Sequence, residues 1–271
     1  MQTIDSLVNV RVRIDDYRQL VHRIARLPRP YRPKYFTSGG RIRDKSKSLI
    51  EDAAQFDRFV DDRVDHVAGF DLIGAGIRFS FFTGETRTAE NRSTHVGCSV
   101  LLSGSRWNGE SFVRLLRQLC CAKGTESGET CRRSEWKYRH LCVKELPEFT
   151  IERTLGTDMS AALPGLYWWT IFSAELAARH DLDISELTAF SKGADQWVTD
   201  EGHVLHVFRL YDEPDDWLEA RDRVSDFLER HANFFSLTRL VPVIDRANSK
   251  ADFDAATIPF VAGTRPWIRR Q

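Results

Sequence analysis

An excess of either charge is missing from this chain: lysine plus arginine and aspartate plus glutamate each number 39 in 271 residues. No global field therefore recruits nucleic acid or a membrane surface, and a dedicated DNA binder would show a basic surplus. Long apolar runs are missing too. Nothing approaches the roughly 20 apolar residues of a membrane span, and the opening MQTIDSLVNVRVRIDDY meets Asp5 and Arg11 before the apolar centre of a signal peptide develops. The expectation is a cytoplasmic protein with no membrane partner. Cysteine is scarce and odd in number (Cys98, Cys120, Cys121, Cys131, Cys142), which suits a reducing compartment better than a disulfide framework. Phosphate cradles are lacking: Gly39 and Gly40 are followed by RIRDKSK rather than GK[ST], and no GxGxxG follows a strand. Ser80, Ser99 and Ser103 have no GxSxG setting.

What is present is ordinary globular material, 42% hydrophobic and 29% charged, long enough to bury a full core. Residues 7–14 alternate apolar and polar side chains, as a half-buried strand does. Asp15 or Asp16 then caps a helix with Tyr17, Leu20, Val21, Ile24 and Leu27 inward, stopped by Pro28. Three prolines and the glycine pair predict a basic loop over 28–47, and Leu49, Ala53, Phe56, Val60 and Val64 mark a second helix. FDLIG, GIRFSFFTG and STHVGCSVLLSG read as strands, and Asn108 is placed to cap a helix carrying Phe112, Leu115, Leu116 and Leu119. Residues 123–140 are polar and charged and predict an irregular stretch. LYWWTIF over 166–172 is apolar on both faces, a buried strand or the first turns of a helix.

A short helix over 175–180 follows, then strands over 194–199 and 203–210 joined by a tight turn at Asp200, Glu201 and Gly202. Asp212 is expected to cap the clearest helix, with Pro214 in its first turn and Trp217, Ala220, Val224, Phe227 and Leu228 inward. Residues 242–271 show little periodicity and predict a surface-wrapping tail. The pattern gives a single α/β-type domain over 1–271 of α+β class: a mixed or antiparallel sheet with amphipathic helices packed mainly on one face.

Several residue groups invite a chemical reading. Cys120, Cys121, Cys131, His140 and Cys142 crowd one region, but zinc sites present close CxxC pairs, and neighbours on a helix point about 100° apart. Cys120 shares the apolar face with Leu116 and reads as core, so neither metal nor disulfide is expected. His203 and His206 fall on opposite faces of a strand, and His180 and His231 sit where a helix dipole favours a cation. No catalytic residue and no cofactor is assigned.

Two charged surfaces remain. Arg29, Arg32, Lys34, Arg41, Arg43, Lys45 and Lys47 surround Tyr31, Tyr35 and Phe36, a pattern that can track single-stranded nucleic acid. The plainer reading, a solvated loop anchored by its aromatics, is preferred. Opposite in sign are Asp195, Asp200, Glu201, Asp212, Glu213, Asp215 and Asp216 against Arg209 alone. If hairpin tip and helix start share one edge, a negative surface results that speeds association with a basic partner.

The order of features then resembles a known group. SFFTGE, THVGCSVLL, PGLYWWTIFSAELAARHDL and RLYDEPDDWLEARDRVSDFLER follow one another from Phe79 to Arg230. This succession is similar to that of bacterial immunity proteins of polymorphic and type VI secretion toxin systems. Gly165, Trp168 or Trp169, and Thr170 match the G-hydrophobic-W-x-T-hydrophobic segment of those families. The resemblance implies a non-enzymatic protein that binds and neutralises a cognate toxin by steric and electrostatic occlusion. Asp200, Glu201, Asp212, Glu213 and an exposed Trp197 would then form the binding edge. The alternative is an enzyme or nucleic-acid-associated factor using the basic 29–47 loop.

Overall fold

The computed structural model describes residues 4–38, 48–65, 69–83, 95–103, 109–154, 163, 165–231, 235, 248–257 and 267–270. In chain order these form β1 (Ile4–Arg13), α1 (Tyr17–Ala25), β2 (Tyr35–Thr37), β3 (Ser48–Leu49), α2 (Ala53–Asp65), β4 (Phe70–Gly74) and β5 (Ile77–Thr83). Then come β6 (His95–Ser103), α3 (Gly109–Cys120), β7 (Thr125–Arg132), α4 (Arg133–His140), β8 (Leu141–Leu146) and β9 (Phe149–Thr154). The chain continues through β10 (Trp169–Ser173), α5 (Ala174–Arg179), α6 (Ile184–Phe190), β11 (Gly193–Val198) and β12 (Val204–Arg209). It closes with α7 (Trp217–Arg230), α8 (Lys250–Thr257) and β13 (Trp267–Arg270). Ten strands make one sheet in the order β11-β12-β10-β7-β1-β6-β5-β4-β2-β3, and its described pairings are antiparallel. β13, β9 and β8 form a smaller antiparallel sheet. The α+β class expected from the sequence is the one observed.

The alternation in β1 decides where the core lies. Val8, Val10 and Val12 are all 2% exposed or less and share one face of the sheet, because side chains alternate with period two. Three helices cover that face. Tyr17 of α1 meets Phe70 and Phe81 at 6.0 and 5.5 Å between ring centroids. Phe56 and Phe59 of α2 close on Phe36 at 5.4 and 4.6 Å. α3 approaches β7 so closely that a Cβ on Gly128 would stand 2.5 Å from the Cys120 sulfur, which is why a glycine occupies a central strand. The other face of β1 carries Leu7, which packs with Cys131, Tyr167 and Trp136, so α4 lies across the sheet from α1, α2 and α3.

The segment 123–140, expected to be irregular, is instead β7 and α4. Its polarity misled because its polar groups are answered inside the fold. Thr130 donates to the Leu7 carbonyl (2.9 Å), Glu129 accepts from Asn9 (2.8 Å), and Glu135 is fully buried. The ambiguous 166–172 run supplies the strand β10, preceded by a bend at Trp168, whose indole donates to the Tyr211 carbonyl. Asp212 caps no helix: α7 starts at Trp217, and Asp216 closes the preceding turn by accepting from the Glu213 amide (2.9 Å). Pro214 therefore precedes the helix. Within 242–271, α8 and the β13–β9 pairing give regular structure, invisible in sequence because a four-residue strand is too short to show a period. Asn108 lies outside the described residues.

Candidate partner-binding face

The β11–β12 hairpin turns at Gly202, whose φ of 84° suits a residue without a side chain, and is closed by the Thr199 amide donating to the His203 carbonyl (2.9 Å). Its tip rests on the loop after α3. The Asp200 amide donates to the Cys121 carbonyl (3.0 Å), and the Gly124 amide donates to the Glu201 carboxylate (3.3 Å). Gly124 itself has φ of 70°, with the Asp16 carboxylate where a Cβ would stand.

Six charges converge there. Asp200 pairs with Arg23. Glu201 meets Arg13 at 2.9 Å and Lys123 at 3.2 Å. Asp16 meets the same two cations at 3.1 and 3.2 Å. Partial desolvation pushes the Glu201 carboxyl up, but the hydrogen bond and charge of Lys123 outweigh it and hold the group below the usual carboxylate range. Hydrogen bonds to Asp16 and Glu201 hold the Lys123 ammonium above its usual range. Three acids thus face three cations, and the tip is a balanced network, not a negative surface.

Beside it opens a cleft of about 780 Å³ between α1, α2 and the end of α3. Arg18, His22, Arg23 and Arg26 line the α1 wall, Asp57 and Asp61 the α2 wall, and Asp200 with Lys123 the end under the hairpin. Arg18 reaches Asp61 at 2.6 Å, and His22 stands 3.8 Å from Asp57. The cleft presents cations on one wall and carboxylates on the other.

The remaining residues expected at the edge are elsewhere. Asp212 and Glu213 follow β12 whereas Asp200 and Glu201 precede it, so the two pairs lie at opposite ends of a six-residue strand, roughly 20 Å apart at about 3.3 Å per residue. Asp212 pairs with Arg209 (3.4 Å) and Asp215 with Arg132. A shared acidic edge is therefore not what the fold builds. Trp197, expected to be exposed, is 3% exposed: Arg117 lies over its ring at 5.8 Å and its indole N–H donates to Asp195 (3.0 Å). Of the basic loop, Arg29, Arg32 and Lys34 are exposed while Tyr31 and Phe36 are buried, and Arg41, Arg43, Lys45 and Lys47 lie outside the described residues.

A second concentration of polar groups sits under α4. Glu135 accepts from the Arg139 Nε (3.1 Å) and from the Tyr211 hydroxyl, and the His140 ring is hydrogen-bonded to the Tyr167 hydroxyl. Beside it a polar row crosses five strands on one sheet face: Glu129, Asn9, Ser99, Ser80 and Asp71 stand directly opposite one another in turn. The row ends in Arg78, bidentate on Asp71 at 3.0 and 2.6 Å. No sequence signal marks this cluster, since its members come from α4, from five strands and from Tyr167 and Tyr211 outside any element. Cys98, Cys120, Cys121 and Cys131 are free and buried, and the Cys142 side chain lies outside the described residues. Among the described residues no group of three or more His, Cys, Asp or Glu is arranged to hold a metal, and no helix is long and apolar enough to cross a membrane.

Compared with known proteins, the chain matches no family model and no curated protein. Among solved structures, a Pseudomonas aeruginosa T6SS protein superposes with a TM-score of 0.49 at 10% identity, over 85% of this chain and 73% of that one. Likeness of that degree fixes neither family nor activity for this chain.

Burial pushes the half-buried Glu129 carboxyl up from 4.5 to about 7 against the Asn9 hydrogen bond, with Glu135 adding to the rise and Arg139 opposing it. The neutral form therefore favours folding. That contribution is complete below about pH 4.5, shrinks as pH rises through 7, and is gone above it. Glu129→Gln, which keeps an acceptor for Asn9, is expected to stabilise the chain at pH 8 by up to about 3 kcal/mol and to change little at pH 4. Urea unfolding across that range measures it; a difference independent of pH would place the perturbing groups elsewhere.

Proposed function

We propose that this chain is an immunity protein, which binds a cognate bacterial toxin and neutralises it by covering the toxin's working surface. The observation that carries this reading is the open cleft with oppositely charged walls beside the hairpin tip. A small substrate needs an enclosed, mostly apolar pocket with a few polar groups to orient it. An open surface presenting both signs instead suits a protein partner, whose complementary charges steer approach and fix register. The segment order from Phe79 to Arg230, with Gly165, Thr170 and the tryptophans between, supports the same class. In this reading Asp200 and Glu201 take part in binding together with the α1 and α2 walls of the cleft. Asp212 and Glu213 serve at most a second, separate contact.

The test is association kinetics with the product of the adjacent gene at two salt concentrations. Converting Asp200 and Glu201 to lysine reverses two charges in a balanced network, leaving five cations against Asp16. At low salt the double variant is expected to associate roughly tenfold more slowly with a basic toxin, and with weaker salt dependence. An unchanged on-rate would remove the hairpin tip from the interface. Retention of single-stranded nucleic acid, abolished by neutralising Arg29, Arg32 and Lys34, would replace the immunity reading altogether.

A further inference from the structure

Among the described residues the ten-stranded sheet ends at two edge strands. One is β3, only two residues long, which limits what can pair with it. The other is β11, six residues whose side chains are exposed at Ala194, Asp195, Gln196 and Val198, the last at 55%. The closing bond of the hairpin sets the phase of this strand. Thr199 and His203 form a hydrogen-bonded pair, so residues 193, 195 and 197 turn their backbone groups toward β12. Ala194, Gln196 and Val198 turn theirs outward. An outward row of amides and carbonyls beside exposed apolar side chains is a template for another strand.

That template is interrupted at its centre. The outward N–H of Gln196 donates to Asp195 Oδ1 at 2.8 Å, and Asp195 Oδ2 accepts from the buried Trp197 indole at 3.0 Å. Trp197 in turn is pinned under Arg117, with the Trp169 ring centred 6.3 Å away. The carboxylate is thus held across the strand edge by a fixed ring, with its charge where an incoming backbone would have to lie.

We propose that Asp195 keeps the edge of β11 closed to a second copy of this chain. A second copy is the occupant that fits because β11 is complementary to itself. An antiparallel two-fold pairing centred on Gln196 sets Ala194 opposite Val198, two apolar contacts flanking the centre. The same pairing sets each Asp195 opposite the partner's Trp197 position, so the barrier disappears when the carboxylate does.

Sedimentation velocity over a concentration series tests this. Asp195→Ala is expected to show a concentration-dependent doubling of mass that the wild-type chain lacks. Asp195→Asn, which removes the charge but retains an oxygen acceptor for the Gln196 amide, is expected to associate more than wild type and less than Asp195→Ala. Asp195→Ala/Gln196→Pro is expected to return to the wild-type mass, because proline removes an outward N–H that β12 does not use and its ring blocks an added strand. Where Asp195→Ala loses its fold through the orphaned indole, Asp195→Ala/Trp197→Phe removes donor and acceptor together and carries the same expectation. A folded Asp195→Ala, or that double variant, with wild-type mass overturns the proposal. So does association that persists with proline at 196.

Discussion

Replacing Arg139 with methionine is expected to destabilise the chain by about 3–5 kcal/mol, because it strands a fully buried carboxylate. Glu135 is 0% exposed and the Arg139 side chain 6%. The guanidinium also lies 5.7 Å from the centre of the Tyr167 ring, so its loss removes packing as well as charge. The pair is not ideal, since the Arg139 Nη2 is buried without a described partner. A double variant, Arg139→Met with Glu135→Gln, is therefore expected to recover much of the loss, the amide still accepting from the Tyr211 hydroxyl. Urea midpoints of the four species complete the cycle. Equal stability of the single and double variants would show that Glu135 is not left as a stranded carboxylate when Arg139 is gone.

The second large effect is expected at Trp217. Its side chain is 6% exposed at the start of α7, on the stripe of Val224, Phe227 and Leu228, and meets Tyr138 of α4 at 5.5 Å. Trp217→Ala should cost about 3–5 kcal/mol in lost burial and residual cavity. Its neighbour Leu218 is 58% exposed, and Leu218→Ala should stay within about 0.5 kcal/mol of wild type. Matching urea midpoints for the two variants would mean that α7 turns a different face to the body of the protein.

Legibility in the sequence followed solvation. β4, β5, β6 and the β11–β12 hairpin show a period or a turn signal, and each appears close to its expected place. α3 shows its stripe for the same reason, with Phe112, Leu115, Leu116 and Leu119 all at 1% exposure or less. β7 and α4 stayed hidden because their pattern is inverted. β7 presents Gly128 to an approaching helix and Glu129 to a polar row, while α4 buries Glu135 and His140 and exposes Tyr138. A hydrophobic-period argument reads such residues as loop. The binding surface suffered from a related gap. Acids at 200–201 and 212–213 are near in sequence, but one strand separates them, and the cations that balance the first pair come from residues 13, 23 and 123. Composition counted the acids of one segment; only the fold brings in the distant arginines and lysine.

The place of β1 has a consequence for synthesis. β1 is a central strand and precedes in the chain both of the strands it lies between, β6 and β7, whose residues run from His95 to Arg132. A ribosome adding about 5–20 residues per second needs roughly 6–24 s to progress from residue 13 to residue 132. For most of that interval, until β6 is complete at Ser103, Val8, Val10 and Val12 have neither of their strand neighbours, and α1 is the helix that follows them most directly and can shield them first. The amphipathic stripe of α1, directly following β1 in the chain, is placed to serve as a temporary cover for the nascent strand until its permanent neighbours emerge.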